Sequence, residues 1–210
     1  VNLDLSLYLV LDPSALPEGA RLLDVASAAI DGGVTVIQLR DKQSGVRELV
    51  ARARSLAELC DARDVCFIVN DRVDVALASG AHGVHLGPED MRVEDARRVA
   101  PGLIIGGSAG DPTSARALVE QGVDYLGVGA IYDASASKAN ASAPRSPAVI
   151  SNVREVVAEL PLVGIGGIDA SNARAVIDAG ADGVAVIRAI AASDDPEAAA
   201  RALKSAIKRA

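Results

Sequence analysis

Short apolar runs alternate along the chain with longer stretches in which apolar positions recur at helical spacing. The runs are Leu7–Leu11, Val36–Leu39, Cys66–Val69, Gly83–Leu86, Leu103–Ile105, Tyr125–Val128, Leu162–Ile165 and Gly183–Ile187. They do not alternate with period two, as expected of parallel strands buried on both faces. Helix-like segments begin near Leu22, Val46, Arg72, Val93, Pro112, Ala148, Ser171 and Pro196. A strand followed by a helix, repeated eight times within 210 residues, predicts an α/β fold: a single (β/α)₈ TIM barrel. In such a barrel the active site lies at the carboxyl ends of the strands.

A second cadence supports the closed barrel over an open doubly wound sheet. At Gly32-Gly33-Val34-Thr35, Gly80-Ala81-His82, Gly122-Val123-Asp124 and Gly180-Ala181-Asp182, a helix ends in glycine and a strand begins within a few residues. Glycine there permits the left-handed turn that reverses the chain. These copies lie about two strand–helix units apart and mark quarter steps of the barrel. No glycine-rich dinucleotide fingerprint follows the first strand. Residues 133–147, rich in Ala and Ser, break the pattern after strand six and are expected to form a mobile lid.

Composition narrows the chemistry. Half of the residues are hydrophobic but only 2% are aromatic, so the core must be aliphatic. The net charge of −7, with no basic run, argues against nucleic acid or an anionic membrane as partner. Two cysteines, Cys60 and Cys66, are expected to be reduced and buried. No stretch is apolar and long enough to span a membrane and no secretory signal opens the chain, so a cytoplasmic protein is expected.

Polar residues gather where the strands should end. Gln38, Arg40 and Lys42 share one side of an extended segment, and one amide with two cations suits a phosphate or diphosphate. A solvated loop with incidental charges is the plainer alternative. Asn70-Asp71 and Glu89-Asp90 follow strands three and four. Carboxylates beside cations make sense if Mg2+ lies between them with phosphate oxygens. Equally, Asp71 could cap the helix starting at Arg72, and Asp90 or Glu89 the next. His85 is expected to be packed and hydrogen-bonded, and His82 to lie on the surface. Gly166-Gly167 and Ile187-Arg188 follow strands seven and eight, where such barrels cradle phosphate on backbone N–H groups. Arg188 could reinforce that cradle or pair with an acid on the next helix. No Ser–His–Asp or Cys–His arrangement is apparent.

Taken in order, Leu7-Tyr8-Leu9-Val10, Gln38-Leu39-Arg40-Asp41-Lys42, Asn70-Asp71-Arg72-Val73-Asp74, Gly83-Val84-His85-Leu86-Gly87 with Glu89-Asp90, Gly129, Lys138 and Gly166-Gly167-Ile168 resemble the thiamine-phosphate synthase family along nearly the whole chain. The resemblance implies a transferase that joins hydroxymethylpyrimidine diphosphate to thiazole phosphate through a dissociative carbocation step. It implies that Gln38, Arg40 and Lys42 hold the pyrimidine diphosphate, assisted by Asn70. Asp71 and Asp90 would bind Mg2+. Ser108 and Lys138 would contact the diphosphate, with Ser135 and Ser137 of the lid beside them. Lys138, Arg40 and Ser108 would be catalytic. Gly166, Gly167, Ile187 and Arg188 would hold the thiazole phosphate. The resemblance is compatible with a homo-oligomer.

The chain departs from the family at several places. Pro88 stands for the usual Gln, Ala109-Gly110 for Thr-His, Ser135-Ala136-Ser137 for Thr-Pro-Thr, and Arg188 for a common Ser. The alternatives are a thiazole tautomerase-like isomerase, a non-catalytic barrel that binds phosphate ligands, and a barrel acting on sugar or indole phosphates.

Overall fold

The computed structural model describes residues 2–133 and 144–208. Among these, the strands are β1 (Leu7–Leu11), β2 (Val36–Leu39), β3 (Cys66–Asn70), β4 (Gly83–Leu86), β5 (Ile104–Ala109), β6 (Tyr125–Gly129), β7 (Leu162–Ile165) and β8 (Gly183–Val186). They pair in chain order, all parallel, and β8 closes on β1. The helices are α1 (Leu22–Asp31), α2 (Val46–Asp61), α3 (Val73–Ser79), α4 (Val93–Val99), α5 (Pro112–Gln121), α6 (Ala148–Val157), α7 (Ala173–Asp178), a short α8 (Arg188–Ala191) and α9 (Pro196–Ile207). A 3-10 turn, Pro13–Ala15, follows β1. No described helix is long and apolar enough to cross a membrane.

Alternate residues of each strand divide the core in two. Leu7, Leu9 and Leu11 of β1, with Ile37, Leu39, Phe67 and Val69, face outward and pack with the helices. Tyr8, Val10, Val36, Cys66, Ile68, Tyr125, Val163 and Ala185 form a second cluster inside the barrel. Both cysteines are free and buried, and burial pushes each thiol up to about 12, leaving it protonated. Helix starts follow local chemistry. Asp111 caps α5 in a reciprocal pair with Ser114, Asp195 caps α9, and each helix has proline in its first turn.

The quarter-step cadence has a structural counterpart at the amino ends of the strands. The residue two after the glycine donates its backbone N–H to an odd-strand carbonyl, and its side chain accepts the N–H of that same odd-strand residue. Thr35 clamps Leu7 (2.9 and 3.1 Å) and His82 clamps Phe67 (both 2.9 Å). Asp124 clamps Ile105 (2.8 and 2.7 Å) and Asp182 clamps Leu162 (2.9 and 2.8 Å). Arg97 and Arg154 brace the two acidic clamps, at 2.8 and 2.7 Å. His82, expected on the surface, is instead half-buried, because its Nδ1 is the acceptor for the Phe67 N–H.

Strand five is also longer than the apolar pattern indicates. Gly106 and Gly107 pair with both β4 and β6, and Ser108 and Ala109 pair with β6, where a loop was expected. The glycines make room for larger neighbours, since a Cβ on Gly106 would overlap the Tyr125 ring. Helices α3 and α7 begin at Val73 and Ala173, slightly later than Arg72 and Ser171 suggest.

Each clamp should contribute measurably to stability. Replacing Asp182 by Ala leaves the Leu162 N–H without its acceptor, at a cost of about 1–3 kcal/mol. A protein of this size should lose about 2–4 °C in Tm per kcal/mol. Thermal unfolding of Asp182→Ala beside the exposed-site control Glu120→Ala checks this, and only the first should fall.

Candidate active site

The carboxyl end of the barrel collects the polar residues in a connected order. Chain passing from β1 reaches Asp12, which is only 4% exposed. Its Oδ1 accepts from the Ser14 backbone N–H at 2.9 Å and from the Ser14 hydroxyl at 2.6 Å, which opens the 3-10 turn. Its Oδ2 pairs with Arg40 Nη1. Sequence reasoning missed Asp12. Its place directly after a strand was the available signal.

On β2, Gln38 is buried inside the barrel and shares its parity with Val36 and with the following Arg40. Asp41 turns the other way. It accepts from the Gln43 and Ser44 N–H groups, each at 3.0 Å, and from Arg52 at 2.6 Å. Burial opposes its ionisation, but those N–H donors and Arg52 hold the carboxyl below its usual range. The loop so fixed leaves Lys42 exposed with Nζ against Asp71 Oδ2.

Asp71 follows β3 in the left-handed region (φ 62°), its N–H bonded to the His85 carbonyl at 2.8 Å. Arg72 is the cap residue of α3 and receives no side-chain cap bond, so Asp71 is not the helix cap. Asp90 does not cap α4 either. Its Oδ2 accepts from the Gly87 N–H at 2.7 Å, and Arg92 is the cap residue there. Desolvation, together with a hydrogen bond and repulsion from Asp71, pushes the Asp90 carboxyl above its usual range. Two like charges thus converge beside one lysine. Among the described residues no three His, Cys, Asp or Glu side chains cluster as a metal cage. Two carboxylates nevertheless fit Mg2+, which is commonly held by one or two carboxylates with water and substrate oxygens completing the shell.

His85 lies in β4 and is hydrogen-bonded, as expected. Its Nδ1 is 3.0 Å from the Tyr125 hydroxyl and its Nε2 is 2.9 Å from Ser108 Oγ. A Ser–His pair is therefore present although none was expected, because its members lie 23 residues apart in the chain and meet only through the pairing of β4 with β5. Its third member is a phenol and not a carboxylate. Burial pushes the Tyr125 phenol well above its usual value, so it stays protonated and does not offset a charge on the imidazole.

Across the mouth, Gly166 (φ 108°) and Gly167 (φ 62°) follow β7 in backbone conformations suited to glycine. A Cβ on Gly166 would approach Ala130 Cα to 2.8 Å. Asn172 Nδ2 donates to the Gly167 carbonyl at 3.0 Å, and Ile187 leads from β8 into α8, which opens with the exposed Arg188. Asn70 ends β3 half-buried. Ser135, Ser137 and Lys138 lie outside the described residues, as does most of the expected lid. Its flanks are described. Tyr132 N–H bonds to Gly166 O at 3.0 Å and Arg145 N–H to Ala130 O at 3.0 Å. Arg145, which sequence reasoning also missed, reaches across to donate to the Gly110 carbonyl at 2.6 Å. A Cβ on residue 110 would stand 3.1 Å from that guanidinium.

The family profile described as thiamine monophosphate synthase matches residues 7–190. A thiamine-phosphate synthase of Xanthobacter autotrophicus is 49% identical over 205 residues, covering 97% of this chain and 96% of that protein. One of Geobacillus thermodenitrificans is 48% identical over 193 residues, covering 89% and 86%. The solved thiamine phosphate pyrophosphorylase of Pyrococcus furiosus superposes with a TM-score of 0.88 at 37% identity, covering 97% of this chain and 96% of that one. A 3-hexulose-6-phosphate synthase, at 20% identity and a TM-score of 0.67, shares the fold alone.

The carboxylate pair makes a testable demand on the metal-free protein. The folded state raises the Asp90 value, so it is favoured most where Asp90 is protonated. That advantage is lost as pH rises from the ordinary carboxylate range through the raised value. In EDTA, Asp90→Asn should therefore be more resistant to urea than the unaltered protein at neutral pH. The difference should vanish in acid, below the ordinary carboxylate range.

Proposed function

Since the chain belongs to the thiamine monophosphate synthase family and its function is that of a thiamine-phosphate synthase, a transferase, we propose that it joins hydroxymethylpyrimidine diphosphate to thiazole phosphate at the carboxyl ends of the strands. The observation that carries this reading is the cluster of Arg40, Lys42, Asp71 and Asp90 after β2, β3 and β4, with the exposed Ser108 hydroxyl on β5. Cations and carboxylates side by side suit a diphosphate bound with a dication better than either suits an uncharged ligand.

In this reading Gln38 and Asn70 orient the pyrimidine, while Arg40 and Lys42 hold the diphosphate. Asp71 and Asp90 would hold Mg2+, whose charge would offset that developing on the departing diphosphate. The carbon–oxygen bond breaks with its electron pair leaving on diphosphate, and the thiazole nitrogen attacks the resulting pyrimidine-stabilised carbocation. No protein nucleophile is needed, and the work lies in stabilising the leaving group and aligning the partner. Ser108, Lys138, Ser135 and Ser137 serve the leaving group, the last three from outside the described residues. Gly166, Gly167, Ile187 and Arg188 hold the thiazole phosphate, chiefly through backbone N–H groups whose positions the two glycines set. Neither an isomerase nor a non-catalytic barrel is favoured, given relatives at 48% and 49% identity that are thiamine-phosphate synthases.

Incubating the purified protein with both substrates, with and without Mg2+, should yield thiamine phosphate and diphosphate only with the metal. Absence of product at saturation refutes the substrate assignment. Asp71→Asn should raise the Mg2+ requirement or abolish turnover. Unchanged kinetics would remove Asp71 from the metal site. Lys138→Ala should lower kcat by more than it raises KM for thiazole phosphate, and an effect on that KM alone would end its assignment to the leaving group.

A further inference from the structure

A continuous line of hydrogen bonds crosses the barrel interior and ends at its mouth. Gln38 Nε2 donates to the Tyr8 hydroxyl at 2.7 Å, and the Tyr8 and Tyr125 hydroxyls are 2.8 Å apart. Tyr125 Oη lies 3.0 Å from His85 Nδ1, and His85 Nε2 lies 2.9 Å from Ser108 Oγ. The line visits β2, β1, β6, β4 and β5 in turn. Its first three members are 4%, 1% and 0% exposed, whereas Ser108 faces solvent.

Each phenol has one proton to give, so with a neutral imidazole an unbroken line runs in one of two senses. When the Gln38 amide nitrogen faces Tyr8, as here, Tyr8 donates to Tyr125 and Tyr125 donates to His85 Nδ1. The neutral imidazole then carries its proton on Nε2 and donates to Ser108 Oγ, which leaves the serine proton directed away from the ring. In the opposite sense, Tyr8 donates to the Gln38 carbonyl, the imidazole proton sits on Nδ1, and Ser108 gives its own proton to Nε2. That second state is the one in which histidine would activate a serine nucleophile.

We propose that this buried line sets the Ser108 hydroxyl as a hydrogen-bond donor toward an anionic oxygen in the barrel mouth, with Tyr8, Tyr125 and His85 as its positioning residues. The proposal rests on the assignment of a diphosphate to that mouth and adds the device that aims one of its donors. Three observations support it. The amide orientation selects the outward sense. Burial pushes both phenols above their usual value, so they remain intact donors throughout. Space for the imidazole has been built on both sides. A Cβ on Gly106 would come within 2.5 Å of His85 Nδ1, and one on Gly127 within 3.0 Å of His85 Cε1. An anion in the mouth adds to the same bias, since a charge-assisted bond is roughly twice as strong as a neutral one.

Only two histidines are present, so the tautomers can be read directly from two-bond 1H–15N correlations of histidine-labelled protein without substrate. His82 is an internal standard, because its Nδ1 accepts the Phe67 N–H and its proton must lie on Nε2. His85 should show the same Nε2–H pattern. Tyr125→Phe should shift His85 toward a mixture while the His82 signals, which report the fold, stay in place. In the full reaction Tyr125→Phe and Ser108→Ala should each lower kcat about tenfold, the worth of one hydrogen bond, and combining them should add little to either loss. An Nδ1–H pattern at His85, or losses that multiply in the double variant, overturns the proposal. If neither substrate is turned over, the assignment of the mouth fails, while the tautomer measurement still decides the polarity of the line.

Discussion

A parallel sheet that closes on itself leaves no strand edge, but it encloses a space that inward-facing side chains must fill. In this chain that requirement governs both stability and chemistry. With 2% aromatic residues, two of the three tyrosines go to the interior, where no other side chain is as large. A phenol brings volume together with a hydroxyl, and a buried hydroxyl without a partner costs about 1–3 kcal/mol. Every buried side-chain polar atom among the described residues has a partner. The interior tyrosines meet this demand through each other, Gln38 and His85, and so carry a polar line from the core to the open end. Filling the barrel and orienting the site are consequences of one packing problem.

The two ends of the strands divide the remaining work. At the amino ends, Thr35, His82, Asp124 and Asp182 lock each odd strand to the even strand beyond it by paired bonds. At the carboxyl ends the same residue types are spent differently. Asp12 restrains Arg40, Asp71 meets Lys42, and Asp90 is held against its like-charged neighbour. Carboxylates at the first end are met by arginines Arg97 and Arg154, while at the second Asp71 and Asp90 repel each other beside a single lysine. The proposed Mg2+ would offset that repulsion.

Much of this was legible in the chain. Parallel strands announce themselves as apolar runs because both faces are buried, so strands such as Leu7–Leu11 and Leu162–Ile165 were set by hydrophobicity alone. The Gly106-Gly107-Ser108-Ala109 extension was not, because glycine in a strand reads as a break until the Tyr125 ring it accommodates is known. Polar residues directly after strands were visible as candidates. What they touch was not. Whether Asp71 caps a helix or faces Asp90 depends on a left-handed backbone at one residue. Tyr8 and Tyr125 read as ordinary strand text because their partners lie on other strands, and Asp12 was passed over although it directly follows β1. His82 looked like surface because only the pairing of β3 with β4 shows that it accepts the Phe67 N–H.

His85 ties the two polar systems together. Its ring orients Ser108, while its backbone carbonyl accepts the Asp71 N–H and so holds Asp71 in the conformation that turns its carboxylate toward Lys42. A shift of β4 would therefore disturb the proposed metal pair and the serine donor at once, which favours their acting on one ligand. The glycine pair after β7 stands apart from this system but not from the segment leaving β6. Ile131 and Tyr132 donate to the Ile165 and Gly166 carbonyls at 2.9 and 3.0 Å. The segment leading to Lys138 thus starts from the proposed monophosphate side and re-enters through Arg145, which reaches the end of β5. Both described flanks of that segment are therefore tied to the barrel mouth, one beside β7 and one beside β5.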